Sequence, residues 1–332
     1  MVGTKDDTAV VAAAAGYRPL LFSLAYGMTG SVGDAEDIVQ DAFLGMTRAH
    51  NAGTAIAAPK AYLTTAVTRL GINHLGSARV RRETYVGDWL PEPVVVPADG
   101  PDGPGPAEHA ELADTLSMAF LVLLEALSPV ERAVFVLREV FGHDYADIAR
   151  ITDKSEANCR QIFARARRRI PADAEARART GAGAGAGAHE GSALSRERRA
   201  EGAELARRFF TAAQGGDLDA LLGMLAPDVV FHGDGGGKAQ AISRTVREAG
   251  QAARMLLGGF RRIRSLGATL RAAWINGNPG AVLYDAEDRV LSVIELHFVD
   301  GEIRTIHSLT NPDKLTHLGP VSDQGLLPGH TT

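Results

Sequence analysis

The fold of the amino-terminal half is decided by the stretch from His143 to Ile170, which reads HDYADIARITDKSEANCRQIFARARRRI. Tyr145 to Arg150 is predicted to form one short helix, and Ile151 to Lys154 a turn. Ser155 offers a hydroxyl N-cap to a second helix, which Pro171 ends. The stretch therefore predicts a helix-turn-helix.

The second helix of this motif has two contrasting faces. Its apolar residues fall on one stripe at helical period and should face a core: Cys159, Ile162, Phe163, Ala166 and Ile170. The remaining surface mixes small residues with side chains that suit base edges and phosphates. The predicted DNA contacts are Ser155, Glu156, Asn158, Arg160, Gln161, Arg165, Arg167, Arg168 and Arg169. Because no acid lies between Ala157 and Arg169, binding to DNA is favoured over a solvated basic helix.

The composition indicates a chain of two or three globular domains. It has 332 residues, of which 45% are hydrophobic, and this is enough for proper cores. The sequence contains no apolar run long enough to span a bilayer, so we expect a cytoplasmic protein. The single cysteine, Cys159, excludes an internal disulfide, and its place on the apolar stripe predicts a buried side chain.

The charges are segregated along the chain, although the net charge is only −5. Pro59 to Arg82 contains five basic residues and no acid, whereas Glu83 to Glu131 contains acids and no Lys or Arg. The basic helix of the helix-turn-helix follows. This order predicts two separate contacts with a polyanion, joined by an acidic connector that has another role.

Two helices are predicted ahead of the first basic segment. Tyr17 to Met28 is rich in apolar residues, and Gly30 to Gly33 breaks it. Asp34 is predicted to cap the next helix, which has an apolar side. The other side carries Glu36, Asp37, Gln40 and Asp41. The helix dipole explains acids in the first turn, but it does not explain Asp41.

A third helix is predicted to begin at Pro59. Its buried side should comprise Tyr62, Leu63, Ala66, Val67 and Leu70. Its later part mixes arginines with hydrogen-bonding side chains, and cations beside an aromatic ring suit single-stranded or melting DNA. A soluble helix with a basic tail remains the alternative for this segment taken alone.

Three motifs, in this order, resemble those of bacterial sigma factors of the short extracytoplasmic-function type. DAEDIVQDAF, from Asp34, resembles the region that grips core RNA polymerase, and PKAYLTTAVTRLGINHLGSARVRR, from Pro59, resembles the region that opens and reads the downstream promoter element. SPVERAVFVLREVFGHDYADIARITDKSEANCRQIFARARRR, from Ser128, resembles the domain that reads the upstream element. The resemblance covers about the first 170 residues.

The resemblance implies two partners, core RNA polymerase and promoter DNA. It places two all-α domains at residues 8–84 and 108–171. The implied polymerase contacts are Asp34, Glu36, Asp37, Gln40 and Asp41. The implied contacts with the downstream element are Lys60, Tyr62, Thr65, Arg69, Asn73, Arg79, Arg81 and Arg82. The predicted DNA contacts of the helix-turn-helix would then read the upstream element.

The connector between these domains, residues 85–107, is acidic and rich in Pro and Gly. It is predicted to lack regular structure. In sigma factors the corresponding connector threads a positively charged channel of the polymerase, which the acidic character here fits. The TYVGDWLPEP element resembles a signature of one group, the sigma J-like group, in which the connector also meets a carboxy-terminal domain.

A flexible tether and a second kind of fold are predicted beyond Pro171. Residues 172–194 include a GAGAGAGA repeat with no packing surface of its own. Helices are predicted at Arg198 to Gln214, Leu218 to Leu225 and Val246 to Ile263. The alternating runs after them are typical of antiparallel strands. Residues 195–318 thus predict an α+β cone with a curved antiparallel sheet, which resembles the SnoaL-like fold, and residues 319–332 form a tail.

Two short motifs of the cone resemble a signature of SnoaL-like domains fused to sigma factors. They are DGGGK (Asp234, Gly235, Gly236, Gly237, Lys238) and NPDKL (Asn311, Pro312, Asp313, Lys314 and Leu315). DGGGK lacks the spacing of a phosphate loop, so we do not expect it to bind a nucleotide. We hypothesise that both motifs dock near Tyr85 and Trp89 of the connector as regulatory contacts. In this hypothesis Lys238 and Lys314 face the acidic connector, while Asp234 and Asp313 meet Arg81 or Arg82.

The cone also contains candidate acid-base groups, namely His232, Asp234, Asp285, Glu295 and His297. The sequence shows no matched pair among them, so we expect no catalysis, no cofactor and no metal. A small-molecule ligand in the pocket of the cone remains open.

The expected function is that of a sigma factor that directs promoter-specific initiation. The SnoaL-like domain should control it in cis, without a separate anti-sigma protein. The alternative is a ligand-responsive helix-turn-helix regulator that acts without binding core polymerase, and a third possibility is a cone-domain enzyme with a basic appendage. The polymerase-type helix and the acidic connector favour the first.

Overall fold

Capping residues mark the end of the first helix and the start of the second. The computed structural model describes residues 14–83, 85–98, 116–170, 192–239 and 245–324, without the side chains of 78–83 and 192–196. The first helix, α1, spans Arg18–Thr29. Gly30, in the left-handed conformation, ends it. The next helix, α2, spans Val32–Asn51, and the Ser31 hydroxyl caps it by accepting from the Asp34 amide at 3.1 Å. The prediction that Asp34 is the cap was wrong, because a cap-competent side chain three residues earlier takes that position.

The third helix, α3, spans Pro59–Glu83 and packs against α1 and α2. Its buried apolar side chains are Leu63, Val67 and Leu75, whereas the predicted Tyr62, Ala66 and Leu70 are only half-buried. The buried stripe is therefore rotated from the prediction, since Thr64 and Thr68 are also buried. Gly71 permits a close approach to α1, because a Cβ there would lie 2.9 Å from Cε of Met28.

The helix-turn-helix prediction is confirmed. After α4 (Met118–Leu124), α5 spans Pro129–Glu139, α6 Tyr145–Thr152 and α7 Glu156–Arg169. Ser155 caps α7 by accepting from the Asn158 amide at 3.2 Å. Helix α6 runs two residues beyond the predicted end and stops at Asp153, which takes the left-handed conformation. Of the predicted apolar stripe, Cys159, Ile162, Ala166 and Ile170 are buried and Phe163 is half-buried.

The chain divides into two units, one of residues 1–83 and 123–175 and one of residues 84–122 and 176–332. In the second unit α8 spans Ser192–Gly215, α9 Leu218–Leu222 and α10 Ala249–Ser265. The strands are β1 (Val95–Pro97), β2 (Leu225–Asp234), β3 (Thr269–Ile275), β4 (Asn278–Tyr284), β5 (Val290–Val299) and β6 (Glu302–Leu309). They form one sheet in the order β1, β3, β4, β5, β6, β2.

The α+β architecture is confirmed, but two details of the prediction were wrong. Strand β2 pairs parallel with β6, so the sheet is mixed and not wholly antiparallel. Val95 to Pro97 of the connector, predicted to be irregular, pair antiparallel with β3. Backbone pairing at an open sheet edge orders a three-residue segment that is too short to show strand periodicity. Residues 99–115, most of the tether and residues 325–332 lie outside the described part of the chain.

The two faces of this sheet carry different cores. One face packs against α8, α9 and α10 through residues such as Phe209, Leu256 and Phe260. The opposite face holds a second cluster that includes Val293, Leu309 and Leu90 of the connector. Since side chains alternate between the faces of a strand, β5 and β6 contribute to both cores in turn. The connector segment of residues 85–97, called the linker below, thus covers the face of the sheet opposite the helices.

Candidate functional site

The predicted polymerase contacts lie on one face of α2. Glu36, Asp37, Gln40 and Asp41 are exposed, while Ile38, Val39, Ala42 and Met46 on the other side of the helix are buried. Asp34 is half-buried and lies 3.1 Å from Nε2 of His74 on α3. The face is therefore acidic and accessible in the first unit.

The predicted contacts with the downstream element follow the length of α3. Lys60, Arg69 and Asn73 are exposed, and Tyr62 and Thr65 are half-buried. The side chains of Arg79, Arg81 and Arg82 lie outside the described part of the structure. The guanidinium of Arg69 donates to the carbonyl oxygen of Ile151 at 3.0 Å and to that of Arg150 at 3.3 Å.

A second arginine makes the reciprocal contact within the first unit. Arg132 of α5 is buried, donates to the Met28 carbonyl in the last turn of α1 at 2.7 Å, and pairs with Glu125 at 2.8 Å. The last four carbonyls of a helix have no intrahelical donor and form the negative end of its dipole, so a guanidinium is a fitting partner. Arg132, which bonds to the end of α1, and Arg69, which bonds to the end of α6, are called the arginine clasps below.

The predicted recognition residues of α7 are all exposed, but most of its arginines have acidic partners. Arg160 pairs with Glu156 at 2.8 Å and stacks over Tyr145, and Arg167 pairs with Glu139 at 3.0 Å. The exposed carboxylate and amide side chains nearest the helix start are Glu156, Asn158 and Gln161. Arg168 bonds only to a carbonyl of its own helix, that of Ala164, among the contacts of the described residues.

Glu131 of α5 organises the end of α7. It is buried, with Arg169 at 2.6 Å and Arg165 at 3.7 Å, and it completes a capping box with Ser128. Burial opposes its ionisation, but the hydrogen bonds from Ser128 and the two arginine charges outweigh this, so the pKa of Glu131 lies below its ordinary value. Arg165 and Arg169 thus help to hold α7 on α5 while their side chains remain exposed.

The two motifs of the second unit meet the linker around the buried carboxylate of Asp234. Asp234 accepts from the Tyr85 hydroxyl, from the Leu90 amide at 2.9 Å and from Nζ of Lys314 at 2.7 Å. Asn311 donates to the Tyr85 oxygen at 2.7 Å. Asp234, Asn311 and Lys314 are together called the linker seat below. Burial, reinforced by the charge of Asp234, raises the pKa of Tyr85 well above its ordinary value, so its phenol remains a donor.

Lys314 contacts three residues of the linker, Tyr85, Trp89 and Leu90. Its buried ammonium also donates to the Leu90 carbonyl and lies 4.2 Å from the centre of the Trp89 ring and 4.7 Å from that of Tyr85. These cation–π contacts are desolvated, which strengthens them. The structure therefore brings together the linker residues and both motifs that the sequence singled out.

The docking hypothesis also placed Lys238 against the connector and Asp234 against Arg81 or Arg82. Lys238 pairs with Asp313 at 2.7 Å on the surface, and the Asp234 carboxylate bonds to Tyr85, Leu90 and Lys314. The contacts expected of Arg81 and Arg82 stay predictions, because their side chains lie outside the described part of the structure. Gly236 and Gly237 have positive φ, and a Cβ on Gly236 would lie 2.3 Å from Nδ2 of Asn311. The glycines thus allow the DGGGK turn to close on Asn311. Gly235 accepts the turn's backbone bonds, and Pro312 is buried beside Lys314.

A second contact with the linker was not predicted from the sequence. Asp88 accepts from the Thr245 hydroxyl at 2.8 Å and lies 3.1 Å from Nδ1 of His232. The His232 ring stacks on that of His307, with 5.5 Å between their centres, and His307 lies 2.5 Å from the buried Glu295. Burial and the neighbouring His307 lower the pKa of His232 to about 4, although Asp88 acts in the opposite direction. Adjacent strands β2 and β6 bring the two histidines together, and a single sequence gives no sign of that pairing.

Of the candidate acid-base groups, His232 and Asp234 contact the linker, Glu295 contacts His307, and His297 is buried on β5. Asp285 accepts from Arg289 and from the Ser322 hydroxyl, which secures the turn between β4 and β5. Among the described residues there is no group of three or more His, Cys, Asp or Glu side chains arranged to hold a metal ion. Across the same ranges, no helix is both long enough and apolar enough to cross a membrane.

Family models match three parts of the chain. Sigma-70 region 2 matches residues 14–81, Sigma-70 region 4 matches residues 117–170, and a SnoaL-like domain matches residues 206–306. An exposed acidic helix, a helix-turn-helix with a basic recognition helix and these matches define the class as RNA polymerase sigma factors.

Whole-chain relatives narrow the class. The chain is 37% identical over 308 residues to the ECF RNA polymerase sigma factor SigJ of Mycobacterium tuberculosis, covering 90% of this chain and 91% of that protein. It is 31% identical to a probable ECF sigma factor, SigI, of the same species, covering 93% and 96%. The crystal structure of M. tuberculosis SigJ aligns with a TM-score of 0.68 at 33% identity, covering 91% of this chain and 96% of that one. The chain belongs to the extracytoplasmic-function family of RNA polymerase sigma factors, and it carries a fused SnoaL-like domain.

Family membership decides between a sigma factor and a regulator that acts without the polymerase. Sigma factors bind core RNA polymerase and promoter DNA and direct transcription initiation, so the alternative of a regulator that acts without the polymerase is not favoured.

Proposed function

We propose that the SnoaL-like domain controls this sigma factor in cis by holding its linker. The observation that carries the proposal is the linker seat, in which one buried carboxylate, Asp234, binds a side chain and a backbone amide of the linker while pairing with Lys314. The linker is the chain that joins the two promoter-reading domains. Any hold on it therefore constrains how those domains are placed on a promoter.

The chemistry of the linker seat suits a switch with two states. Asp234 is fully buried and Lys314 nearly so, which means that their charges depend on the contacts that surround them. Removing one partner of a buried pair leaves an uncompensated charge, at a cost of about 3 to 5 kcal/mol. Tyr85, Trp89 and Leu90 leave together or not at all, because they share these two charges. Release of the linker should thus be cooperative.

The roles of the recognition surfaces form part of the same proposal. The face of Glu36, Asp37, Gln40 and Asp41 binds core polymerase, α3 binds the downstream element, and the exposed face of α7 reads the upstream element. What supports this is their exposure and charge, together with the positions of the two sigma-70 matches. The protein acts where the polymerase acts, in the cytoplasm.

The proposal includes two expected absences. The fused domain takes the part of a separate anti-sigma protein, and it does so without catalysis. The support is that Asp234 and Lys314, two of its buried charged groups, are committed to the linker, and that Asp285 is committed to a turn.

Run-off transcription with core polymerase tests cis control. Asp234→Ala should raise the amount of transcript at least about twofold without moving the start site, because the polymerase channel and the linker seat compete for the linker. Lys238→Ala is the matched control, since it removes a charged side chain of the same turn whose partner is the exposed Asp313. Equal output from Asp234→Ala, Lys238→Ala and the parent chain would refute the proposal, provided that all three bind core polymerase.

A further inference from the structure

A cavity of about 420 Å³ lies in the second unit, between one flank of α10 and the ends of β2, β5 and β6. Its wall is mostly apolar, with Phe231, Met255, Phe260 and Ile294 among its residues. Such a volume and lining are typical of small-molecule sites. We propose that this cavity binds a neutral, mainly apolar small molecule carrying a hydrogen-bond donor, and that its occupancy is transmitted to the linker; the second half rests on the proposed cis control.

The polar groups of the wall indicate the chemical class of the ligand. Hydroxyl-bearing residues of the wall include Ser292 and Ser308, and Gln324 also lines the cavity. The buried Oε1 of Gln324 has no hydrogen-bond partner among the described residues. An acceptor without a donor in an apolar cavity is costly, and a hydroxyl or amide of a ligand would satisfy it. Among the described residues of the wall, the one ionisable side chain is Arg262, which is exposed to solvent, so this part of the wall offers no buried charge to pair with an ion.

The helix beside the cavity is built to leave it open. Gly258 and Gly259 stand in the middle of α10, and both line the cavity. A Cβ at either position would meet nothing within 4 Å, so packing does not require glycine there. A glycine inside a helix is destabilising relative to alanine. Access to the cavity therefore accounts for Gly258 and Gly259, which packing does not explain.

The same strands carry the cavity on one face and the linker on the other. On β6, Ser308 lines the cavity, while its neighbours His307 and Leu309 belong to the linker-covered face. On β2, Phe231 lines the cavity, and the next residue, His232, contacts Asp88. Thr310 lines the cavity and donates its amide to the Asp234 carbonyl at 2.8 Å. A ligand that moves these residues therefore moves Asp234 and Asn311, which hold the linker.

Binding can be measured on the full chain with two neutral probes. N-phenyl-1-naphthylamine should bind with a stoichiometry of one, and decan-1-ol, an apolar chain with one donor hydroxyl, should displace it. Ser308→Phe and Gly259→Leu fill the cavity from opposite walls and should each weaken binding at least about tenfold. Gly76→Leu is the matched control, because Gly76 is an exposed glycine in α3 where a Cβ also meets nothing within 4 Å. Decanoate should bind more weakly than decan-1-ol.

Transmission to the linker has its own readout. In a Trp274→Phe chain, Trp89 is the remaining tryptophan and stands 4.2 Å from the Lys314 ammonium. Decan-1-ol should shift the Trp89 emission of this Trp274→Phe chain, and it should not do so when Gly259→Leu is added. The proposal is overturned if neither probe binds, if both filled variants bind as the parent does, if decanoate binds more tightly, or if saturation leaves the Trp89 emission unchanged. Ligand-free run-off transcription by the same chains separates these failures from a failure of cis control.

Discussion

At the scale of single residues, the exposed carboxylates of α2 give the most direct test of polymerase binding. Asp41→Arg should lower the affinity for core polymerase by roughly tenfold, about 1.4 kcal/mol, because it reverses a charge at the rim of an interface. The free energy of unfolding should change by no more than about 0.5 kcal/mol, since the side chain is exposed. Affinity is measured by anisotropy of the labelled chain, and stability by urea denaturation.

Glu201→Arg is the control for this prediction, because it reverses an equally exposed helical carboxylate in the other unit. Equal affinities for the two reversed chains and the parent would remove α2 from the polymerase interface.

A second prediction at this scale is that protonation of His232 weakens the linker contact. Burial and His307 hold the pKa of His232 at about 4, against an ordinary value near 6.5. A released linker exposes the ring, so the released state binds more protons between these values. Docking is therefore strongest above about pH 6.5 and weakens as the pH falls towards 4. Asp88 opposes this trend, and Glu295 and Arg247 are the other charged groups near the two histidines in the described part of the chain.

The measurement is the Trp89 emission of the Trp274→Phe chain, titrated from pH 7.5 to about 4. A His232→Asn substitution in the same chain should flatten the transition above pH 5. A transition that is unchanged by this substitution would assign the titration to another group.

At the scale of elements, variants of α7 should distinguish residues that read bases from residues that bind the DNA backbone. Gln161→Ala removes an exposed amide that can bond an adenine edge in a bidentate manner, and it should relax base preference at about 1 to 3 kcal/mol. Arg168→Ala should instead weaken binding to all sequences and lower the salt dependence by about one counterion. Binding to a panel of upstream elements at several salt concentrations gives both quantities. The same loss on every element for both variants would leave α7 as an electrostatic anchor alone.

The arginine clasps predict an inhibited state of the free sigma domains. Arg69 is one of the proposed DNA contacts, yet its guanidinium is bonded to the end of α6. Arg132→Ala removes the buried clasp, so it should free Arg69 and raise the affinity of the free chain for promoter DNA by up to about tenfold. Arg138→Ala is the control, because Arg138 is on the same helix and donates to His143 within the helix-turn-helix. The explanation fails if promoter affinity is the same in both variants, with folding checked by circular dichroism.

What could be predicted from the sequence depended on how local its cause was. The Ser155 cap and the stripe of Cys159, Ile162 and Ala166 follow from spacing within one helix, and the structure has them as predicted. The pairing of β2 with β6 and the meeting of His232 with His307 depend on strand order, which periodicity does not encode. The described partners of Asp234 were not foreseen for a similar reason. Charge alone suggested an arginine, whereas a nearby lysine and a tyrosine of the linker fill the site.

At the scale of the whole molecule, control should alter the amount of transcription and leave promoter choice unchanged. Trp89→Ala removes a cation–π contact with Lys314, worth about 2 kcal/mol when desolvated, and none of the recognition residues. We expect transcript levels to rise while the ranking of promoters stays as in the parent chain. Run-off assays on a set of promoter variants provide both measurements. A changed ranking would show that the second unit takes part in reading DNA.

The pairing of β1 with β3 has a consequence for the released state. Strand β1 is the outermost strand of the sheet, so its departure with the linker would leave β3 as a bare edge. An unpaired edge presents a row of free backbone donors and acceptors, and these accept another extended chain regardless of its sequence. Leu90 would leave at the same time and uncover its apolar neighbours. An activated molecule away from the polymerase should thus be prone to self-association, and return of its own β1 is the reaction that competes with it.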